Sequence, residues 1–464
     1  MSQRSLEDAI RTAGSAARLA RDSQIGPYVY PAVPAEFTNW RDEQVSWRET
    51  CALFDQSHHM TDLYVEGPDT IRLLSDLGVN SFAGFAVNKA KQFVTCTPDG
   101  YVIGDGILFF LDENRVSLVG RPSAHNWVAY NAETGDYDVA LERDERTAVN
   151  PTGRRKLYRY QVQGPTALEV MERATGGPLP EIRFFNMGEL TVAGRKVRAL
   201  HHGMSGAPGL ELFGPWEERE EVKGAIVEAG RDLGLCQVGS RVYATNTLES
   251  GWIPCPVPAI FTGEALKPYR EWLPANGYEG TGSLGGSFCS DDIEDYYLSP
   301  WDLGYGGFVK FDHDFIGREA LEAMGGGDPP RRKVTLAWNG EDVAHAIGTL
   351  FEKGDHAKYI DFPLSNYSTW PNDRVMHGDR MVGVSTFSGY SYNERSFLSL
   401  AIVDSEIEIG SEVVLVWGEE GGGSAKPVVE RHVQAEIRAV VSPCPYSEVA
   451  RTTYAEGWRT KAAV

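Results

Sequence analysis

The sequence predicts an α+β protein in which a helix-containing body precedes a smaller domain of antiparallel strands. A chain of 464 residues is longer than one hydrophobic core usually organises, and its length favours about three domains. Up to residue 330, helical and strand-like segments alternate without the regular repeat of a parallel-sheet enzyme. Beyond the linker-like stretch PPRRK at 329–333, short alternating strands and glycine-rich turns indicate a small antiparallel barrel or sandwich. We therefore divide the chain into residues 1–330 and 331–464.

The composition argues against nucleic acid and membranes as partners, and it requires a local positive charge for any anionic ligand. Hydrophobic residues make up 42% of the chain and charged residues 23%, as in a folded protein. The net charge of −21 argues against binding to nucleic acid or to an anionic membrane, since both attract basic surfaces. An anionic small molecule would need a locally placed cation. The N-terminus lacks the apolar core of a signal peptide and no apolar run could span a bilayer, so we expect a cytosolic protein.

The cysteine and histidine pattern predicts neither a disulfide framework nor a metal site. The six cysteines are scattered, without a CxxC pair: Cys51, Cys96, Cys236, Cys255, Cys289 and Cys444. Such spacing favours reduced thiols. The adjacent His58 and His59 have no HExxH context and no third ligand nearby, so we expect no metal. The GxGxxG match at 280–285 has no strand before it and no apolar helix after it, which argues against a dinucleotide site.

The first forty residues predict a helix followed by an extended aromatic loop. Apolar residues recur at helical spacing over 5–23, which indicates one amphipathic helix. In 25–40, three prolines exclude a long helix, and Tyr28 and Tyr30 alternate around Val29. Such a loop either packs over a core or forms the wall of a pocket for a flat ligand.

The strands that follow carry three candidate site residues. His58 and His59 would point in opposite directions on an extended segment, so that one of them can face a cavity. Asp105 lies between two glycines inside an apolar strand, which indicates either a simple bulge or a close approach of the backbone to a ligand. Arg121 follows the strand 116–120 and is either a surface ion pair or a bidentate carboxylate ligand.

Two later segments carry the remaining candidates. Glu211 lies in the strand GLELF, where a carboxylate usually faces solvent. The stretch 239–254, GSRVYATNTLESGWIP, places Tyr243, Glu249 and Trp252 in a segment of low helix propensity. Taken alone, this tyrosine and this tryptophan are most simply explained by core packing.

Several segments together resemble the folate-binding aminomethyltransferase family, whose type member is the glycine cleavage T-protein. The matching pieces, in order along nearly the whole chain, are APGLELFGP, LESGW, LGYGGFVKFDHDFIGREAL, VGVSTFSGYSYNERSFLSLAIVD and SPCPY. The resemblance implies three domains arranged as a ring around a central folate channel. Two interleaved α+β domains would occupy residues 1–330, and an antiparallel β-barrel would occupy 331–464.

Within that family the chain resembles the tetrahydrofolate-dependent aromatic O-demethylases, in SQIGPYVYP, FDQSHHMTDLY, NKAKQF and GSRVYATNTLESGWIP. In that branch the tyrosine matching Tyr243 is catalytic, and we assign His59 to assist it. The resemblance places Tyr30, His59 and Arg121 at the aryl substrate, and Glu211 and Trp252 at the folate. To these we add Tyr28 as a substrate-binding residue and Asp105 as a cofactor-binding residue. The T-protein carries an Asp-Asp pair where this chain has Gly104-Asp105, so the acid–base role of that pair is not carried over.

The chemistry of the implied reaction agrees with these residue types. Moving a methyl group from an aryl ether to N5 of tetrahydrofolate releases a phenolate, and a positioned acid improves such a leaving group by ~10²–10⁴-fold. Tyrosine, with a reference pKa of about 10, roughly matches that phenol. Arg121 would supply the cation that holds a benzoate such as vanillate, syringate or 3-O-methylgallate.

Three alternatives stay open at this point. An aminomethyltransferase, or a demethylase of a small aliphatic donor, would use the same fold, although the aromatic loop at Tyr28 and Tyr30 argues against it. A folate-binding scaffold without turnover would bind folate and form no methyl product. A flavin-linked demethylase would need a dinucleotide module, which the sequence does not predict.

Overall fold

The computed structural model of the chain describes residues 4–204, 206–254, 256–325 and 329–452. Its α-helices are α1 Leu6–Ala13, α2 Ala16–Asp22, α3 Trp40–Glu49, α4 Thr70–Leu77, α5 Pro122–Thr134, α6 Ala167–Thr175, α7 Arg219–Ala229, α8 Asn246–Ser250, α9 Lys267–Trp272, α10 Tyr278–Thr281, α11 Arg318–Met324, α12 Gly340–Gly348 and α13 Glu448–Arg451. Its strands are β1 Cys51–Asp55, β2 Thr61–Glu66, β3 Ala90–Cys96, β4 Val102–Asp112, β5 Arg115–Gly120, β6 Ala140–Asp144, β7 Leu157–Gln163, β8 Met187–Val192, β9 Arg195–His201, β10 Gly209–Pro215, β11 Leu235–Val238, β12 Leu284–Gly285, β13 Arg331–Trp338, β14 Trp370–Pro371, β15 Asp373–His377, β16 Arg380–Ser391, β17 Ser396–Asp404, β18 Glu412–Trp417 and β19 Ala435–Ser442.

One six-stranded sheet is assembled from two separate parts of the chain. Its order is β11-β1-β7-β10-β9-β8, in which β1 and β11 are parallel and the other neighbours are antiparallel. Because β1 ends at Asp55 and β7 begins at Leu157, a second body is inserted between them. Helices α6 and α7 contact this sheet, and the core beside it buries Tyr158, Leu212 and Val222.

The inserted residues form a five-stranded antiparallel sheet. Its order is β3-β4-β5-β2-β6. The core on one face of it includes Leu63, Phe93 and Trp127, and it also takes in residues of α1, α2 and the stretch 257–297. The two sheets therefore come from interleaved parts of the chain.

The C-terminal strands close into an antiparallel barrel of order β13-β17-β16-β15-β18-β19, whose core buries Leu336, Trp338 and Trp417. Strand β14 lies outside the barrel and pairs with β12. The α+β class and the barrel are thereby confirmed. The first barrel strand begins at Arg331, and the division of the chain after residue 330 stays a prediction.

Three local predictions are wrong, each for a physical reason. Residues 5–23 form two helices, because Gly14 adopts a φ of 91° and ends α1. His58 and His59 lie in a turn between β1 and β2, since the chain crosses there from one sheet to the other. Residues 243–250 are helical, a short 3₁₀ turn followed by α8, because burial of that segment overrides its weak propensity.

The cysteines that the structure describes are free thiols: Cys51, Cys96, Cys236, Cys289 and Cys444. Cys255 lies outside the described residues, and so does the end of the predicted second domain beyond residue 452. Among the described helices, none combines the length and the apolar character needed to cross a membrane.

Candidate active site

A cavity of about 940 Å³ is lined by residues from both sheets, the aromatic loop and α8. Its volume lies in the range of small-molecule sites. The structure brings together all eight residues predicted from the sequence, since each of them lines this cavity: Tyr28, Tyr30, His59, Asp105, Arg121, Glu211, Tyr243 and Trp252. Their individual roles stay predictions.

Four of these residues, Tyr28, Tyr30, His59 and Tyr243, form an aromatic cluster. The ring centroid of Tyr243 lies 4.8 Å from that of His59 and 5.0 Å from that of Tyr30, and those of Tyr30 and His59 are 4.7 Å apart. Phe54 of β1 packs edge-on against Tyr243 at 5.5 Å. Tilted and edge-to-face contacts at such distances are attractive. The cluster therefore offers a rigid and largely apolar surface to a bound ring.

One hydrogen bond orients the hydroxyl group of Tyr243. Nε2 of Gln56 donates to its oxygen at 3.0 Å, and no described residue accepts its proton. Burial raises the pKa of Tyr243 above its usual range, Tyr30 adds to this shift, and the bond from Gln56 opposes it. At neutral pH Tyr243 is therefore a protonated donor whose O–H can point to a bound group.

His59 is a neutral imidazole in this environment. Burial, followed by the guanidinium of Arg121, lowers the pKa of His59 well below its usual range. Its ring makes ring contacts but no hydrogen bond within the described part of the chain. A neutral ring donates from one nitrogen and accepts at the other. In the described ranges, no group of three or more His, Cys, Asp or Glu side chains is arranged to hold a metal ion.

Two guanidinium groups lie against the ring of Tyr28. Cζ of Arg121 is 4.0 Å from the ring centroid, and Cζ of Arg146 is 4.6 Å from it. The negative face of a phenol ring attracts such cations. The hydroxyl group of Tyr28 donates to the backbone carbonyl of His59. Tyr28 thus joins the cations to the rest of the aromatic cluster.

The carboxylate of Asp105 accepts three hydrogen bonds at one oxygen. Its Oδ2 receives the hydroxyl of Tyr305 at 2.7 Å, Nε2 of Gln92 at 2.9 Å and the indole N–H of Trp252 at 3.2 Å. Its Oδ1 makes no hydrogen bond to a described residue. Burial raises the pKa of Asp105, and the bonds from Tyr305 and Trp252 oppose that shift. Asp105 is thus held in place and keeps one acceptor for a ligand.

Packing explains the two glycines beside Asp105. The register of β3 and β4 shifts near the start of β4, so a bulge precedes Gly104. A Cβ at Gly104 would lie 2.8 Å from the backbone nitrogen of Ala124, and one at Gly106 would lie 2.8 Å from the carbonyl oxygen of Val119. The glycines therefore allow β4 to approach α5 and β5, whereas the bulge itself lies just before them, and Gly104, Asp105 and Gly106 pair regularly with β3.

Glu211 is buried, contrary to the expectation that it faces solvent. It is 7% exposed, because Nη1 of Arg159 on the neighbouring strand β7 lies 2.5 Å from its Oε1. The same guanidinium binds Asp62 at 2.9 Å. Asp62 binds Arg155 at 2.9 Å, and Arg155 reaches Asp144 at 3.0 Å. Oε2 of Glu211 makes no hydrogen bond to a described residue, so this carboxylate also keeps one free acceptor.

This row of buried ion pairs also fixes the turn that carries His59. Nη1 of Arg155 donates to the carbonyl of Ser57 at 2.6 Å and to that of Met60 at 2.9 Å. The backbone N–H of Arg159 donates to Oγ of Ser57 at 2.9 Å. The guanidinium of Arg155 and the backbone of Arg159 therefore hold residues on both sides of the histidine pair.

Six residues that complete the site were not predicted from the sequence: Gln56, Asp62, Gln92, Arg146, Arg159 and Tyr305. Four of them, Gln56, Asp62, Gln92 and Tyr305, stand inside segments that resemble the family, and that resemblance was the available signal. No spacing pattern connects the six, because they come from separate strands and loops.

A family model described as the GCVT N-terminal domain matches residues 18–255. The chain therefore belongs to the GCVT, or aminomethyltransferase, family. Syringate O-demethylase of Sphingobium sp. (strain NBRC 103272 / SYK-6) is 51% identical to it over 461 residues, which is 99% of this chain and 100% of that protein. Sesamin methylene transferase of Sinomonas sp. (strain No.22) is 28% identical over 90% of this chain and 91% of that protein.

The fold is also that of a solved aminomethyltransferase. Glycine cleavage system aminomethyltransferase T from Bartonella henselae aligns with a TM-score of 0.59, over 91% of this chain and 92% of that structure. Its sequence identity of 18% makes this a likeness of fold alone.

Proposed function

We propose that the protein transfers the methyl group of a methoxybenzoate, namely vanillate, 3-O-methylgallate or syringate, to N5 of tetrahydrofolate. The products are a catechol-type acid and 5-methyltetrahydrofolate. One observation carries the proposal: a single cavity holds a tyrosine O–H without an acceptor and two carboxylates that each keep a free oxygen, among the described residues. The relative named syringate O-demethylase supports an aromatic methoxy donor.

Tyr243 supports cleavage of an aryl methyl ether. The bond between the methyl carbon and the ether oxygen breaks, and its electron pair stays on that oxygen as a phenolate. A hydrogen bond from Tyr243 stabilises the developing charge, an effect of typically ~10²–10⁴-fold. Burial raises the pKa of Tyr243. The same burial raises that of a phenol released beside it, so donor and leaving group stay matched.

The aromatic cluster and Arg121 support an aromatic anion as the methyl donor. The rings of Tyr28 and Tyr30 offer faces and edges to a flat substrate. The guanidinium of Arg121, which lies against Tyr28, offers a positive charge for a carboxylate. A small aliphatic donor would leave these ring surfaces uncovered. The neutral ring of His59 suits a hydroxyl or a second methoxy group on the substrate.

The two carboxylates fit a reduced pterin. A pterin presents ring and amino N–H groups in one plane, and Oδ1 of Asp105 and Oε2 of Glu211 are acceptors that the described side chains do not use. Trp252 is 38% exposed and lines the same cavity. N5 of tetrahydrofolate supplies the lone pair that takes the methyl group, and the proton that N5 then loses balances the one that the phenolate gains to become the phenol product. By holding both ligands in one cavity, these residues provide the proximity that the displacement requires.

The proposal is tested by incubating the protein with tetrahydrofolate and separate methyl donors. The panel contains vanillate, syringate, 3-O-methylgallate, guaiacol, dimethylsulfoniopropionate and the glycine-cleavage intermediate. We expect 5-methyltetrahydrofolate and a catechol from a methoxybenzoate. Turnover of the aliphatic donors alone would support the aminomethyltransferase alternative, and folate binding without any methyl product would support the scaffold. The cytosolic location and the absence of a metal requirement stay predictions.

A further inference from the structure

Arg146 lies behind the aromatic cluster and is attached to the turn that carries His59. Its Cζ is 4.6 Å from the centroid of the Tyr28 ring, although Arg146 itself does not line the cavity. The next residue, Thr147, donates its backbone N–H to the carbonyl of His58 at 3.0 Å, and the Thr147 hydroxyl lies 2.9 Å from Nδ1 of His58. These contacts therefore fix the position of the Arg146 guanidinium relative to His58, His59 and Tyr28.

The charge of Arg146 is not balanced by a carboxylate among the described residues. Its neighbours Arg143, Arg154, Arg155 and Arg159 each have an acidic partner within 4 Å. Arg146 has none, and its Nε is buried without a hydrogen-bond partner. In a protein of net charge −21, this is an uncompensated positive charge beside the ring that borders the aryl site.

We propose that Arg146 is a specificity-determining residue that favours carboxylated aromatic donors, an inference that rests on the proposed function. It acts through space on a bound carboxylate, in addition to Arg121, and through its cation–π contact on the position of Tyr28. The charge effect requires an anionic ligand, whereas the positional effect applies to any aromatic ligand. The two effects can therefore be separated by comparing a methoxybenzoate with its methyl ester.

The experiment measures dissociation constants by calorimetry for syringate and for methyl syringate, without folate, so that turnover is not needed. The variant Arg146→Gln removes the charge and keeps a polar side chain of similar length. We expect its dissociation constant for syringate to rise about tenfold, and that for the ester to change less than about twofold. Arg146→Lys should restore most of the preference for the acid.

Arg154→Gln is the matched control, because Arg154 lies in the same connection but its side chain is 64% exposed and pairs with Glu217. It should leave both dissociation constants unchanged. Equal losses for the acid and the ester in Arg146→Gln would assign Arg146 a positional role through Tyr28 and overturn the proposal, as would no change in either. If the wild-type protein bound neither ligand, the proposed function itself would fail, which is a different result.

Discussion

The aromatic cluster and the two cavity carboxylates, Asp105 and Glu211, line the same cavity, but their polar side chains are held there in different ways. Tyr243 and His59 are surrounded by rings, and the described residues offer their side-chain polar atoms a single hydrogen bond, from Gln56 to the Tyr243 hydroxyl. Asp105 and Glu211 are instead held by direct hydrogen bonds and an ion pair. Tyr243 and His59 are thus kept uncharged, whereas the two carboxyl groups are each held at one oxygen by hydrogen-bond donors.

The difference shows how one cavity can serve two ligands of different chemistry. Burial without a carboxylate partner keeps both side chains uncharged, since it raises the pKa of Tyr243 and lowers that of His59. The aromatic cluster can therefore donate a proton to a leaving oxygen. The carboxylates are anchored at one oxygen each and present the other, which suits a ligand rich in N–H groups. Each region can be disturbed separately by substitution.

The largest effect is expected from Tyr243→Phe, which removes the proton donor and keeps the ring. The rate constant kcat for demethylation should fall by ~10²–10⁴-fold, because the phenolate loses its hydrogen bond. Tetrahydrofolate should bind with nearly unchanged affinity in calorimetry. Tyr392→Phe is a control, since that ring packs against Trp40 and does not line the cavity. A loss in kcat no larger than that of the control would exclude Tyr243 as the donor.

Among the carboxylates, Glu211→Ala should have the largest effect on stability. The substitution leaves Arg159 buried with Asp62 as its remaining partner. Breaking a buried pair in this way costs about 3–5 kcal/mol, to be measured as the free energy of unfolding in urea. Glu217→Ala is the control, because its side chain is 57% exposed and its pair with Arg154 is worth about 1 kcal/mol or less. Similar losses in the two variants would contradict the buried network.

The burial of Glu211 also shows where sequence reasoning ends. The alternation of side chains along β10 allows Glu211 to face either the interior or the solvent. Arg159, the partner that makes its burial tolerable, is 52 positions away in the chain. Asp105 presents the same difficulty, since Trp252 and Tyr305 are 147 and 200 positions from it. Polar residues that depend on such distant partners cannot be classified as buried or exposed from local pattern.

The features that could be predicted are those that a short segment determines or that a family shares. Strand alternation beyond residue 330 was sufficient to predict an antiparallel barrel or sandwich, because each strand carries its own buried face, and the family resemblance implied the barrel. The eight candidate residues followed from local strand and loop context together with the family resemblance, and the structure brings them together. The break at Gly14 was missed because apolar spacing continues across it, while the backbone conformation that ends the helix leaves no trace in that spacing.

A smaller, pH-dependent effect is expected from Asp105→Asn. Burial raises the pKa of Asp105 in the folded state above its unfolded value of about 4. The folded protein therefore binds this proton more tightly, and the group lowers stability as the pH rises from the unfolded towards the folded pKa. The asparagine does not ionise, so the free energy of unfolding of the variant minus that of the wild type should increase as the pH rises through the unfolded pKa towards the raised folded one.

Urea denaturation at a series of pH values measures that difference. Asp99→Asn, on an exposed turn, serves as the control for the same substitution at a position that is not buried. A difference for Asp105→Asn that stays flat or decreases with pH would show that hydrogen bonds to Asp105 outweigh its burial.

The smallest effect is expected from Trp252→Phe, which removes one of the three donors to Asp105 and keeps an aromatic face. The indole N–H lies 3.2 Å from Oδ2, the longest of the three contacts, and the side chain is partly exposed. The affinity for tetrahydrofolate should therefore fall by about fivefold, less than for a buried bond to a charged group. Because Trp252 contacts Asp105 and Tyr305 and no member of the aromatic cluster in these bonds, KM for the methoxybenzoate should stay the same. An equal change in the folate affinity and in KM would mean that the carboxylates and the aromatic cluster do not act separately, since the loss of a donor to Asp105 would then also weaken binding at the aryl site.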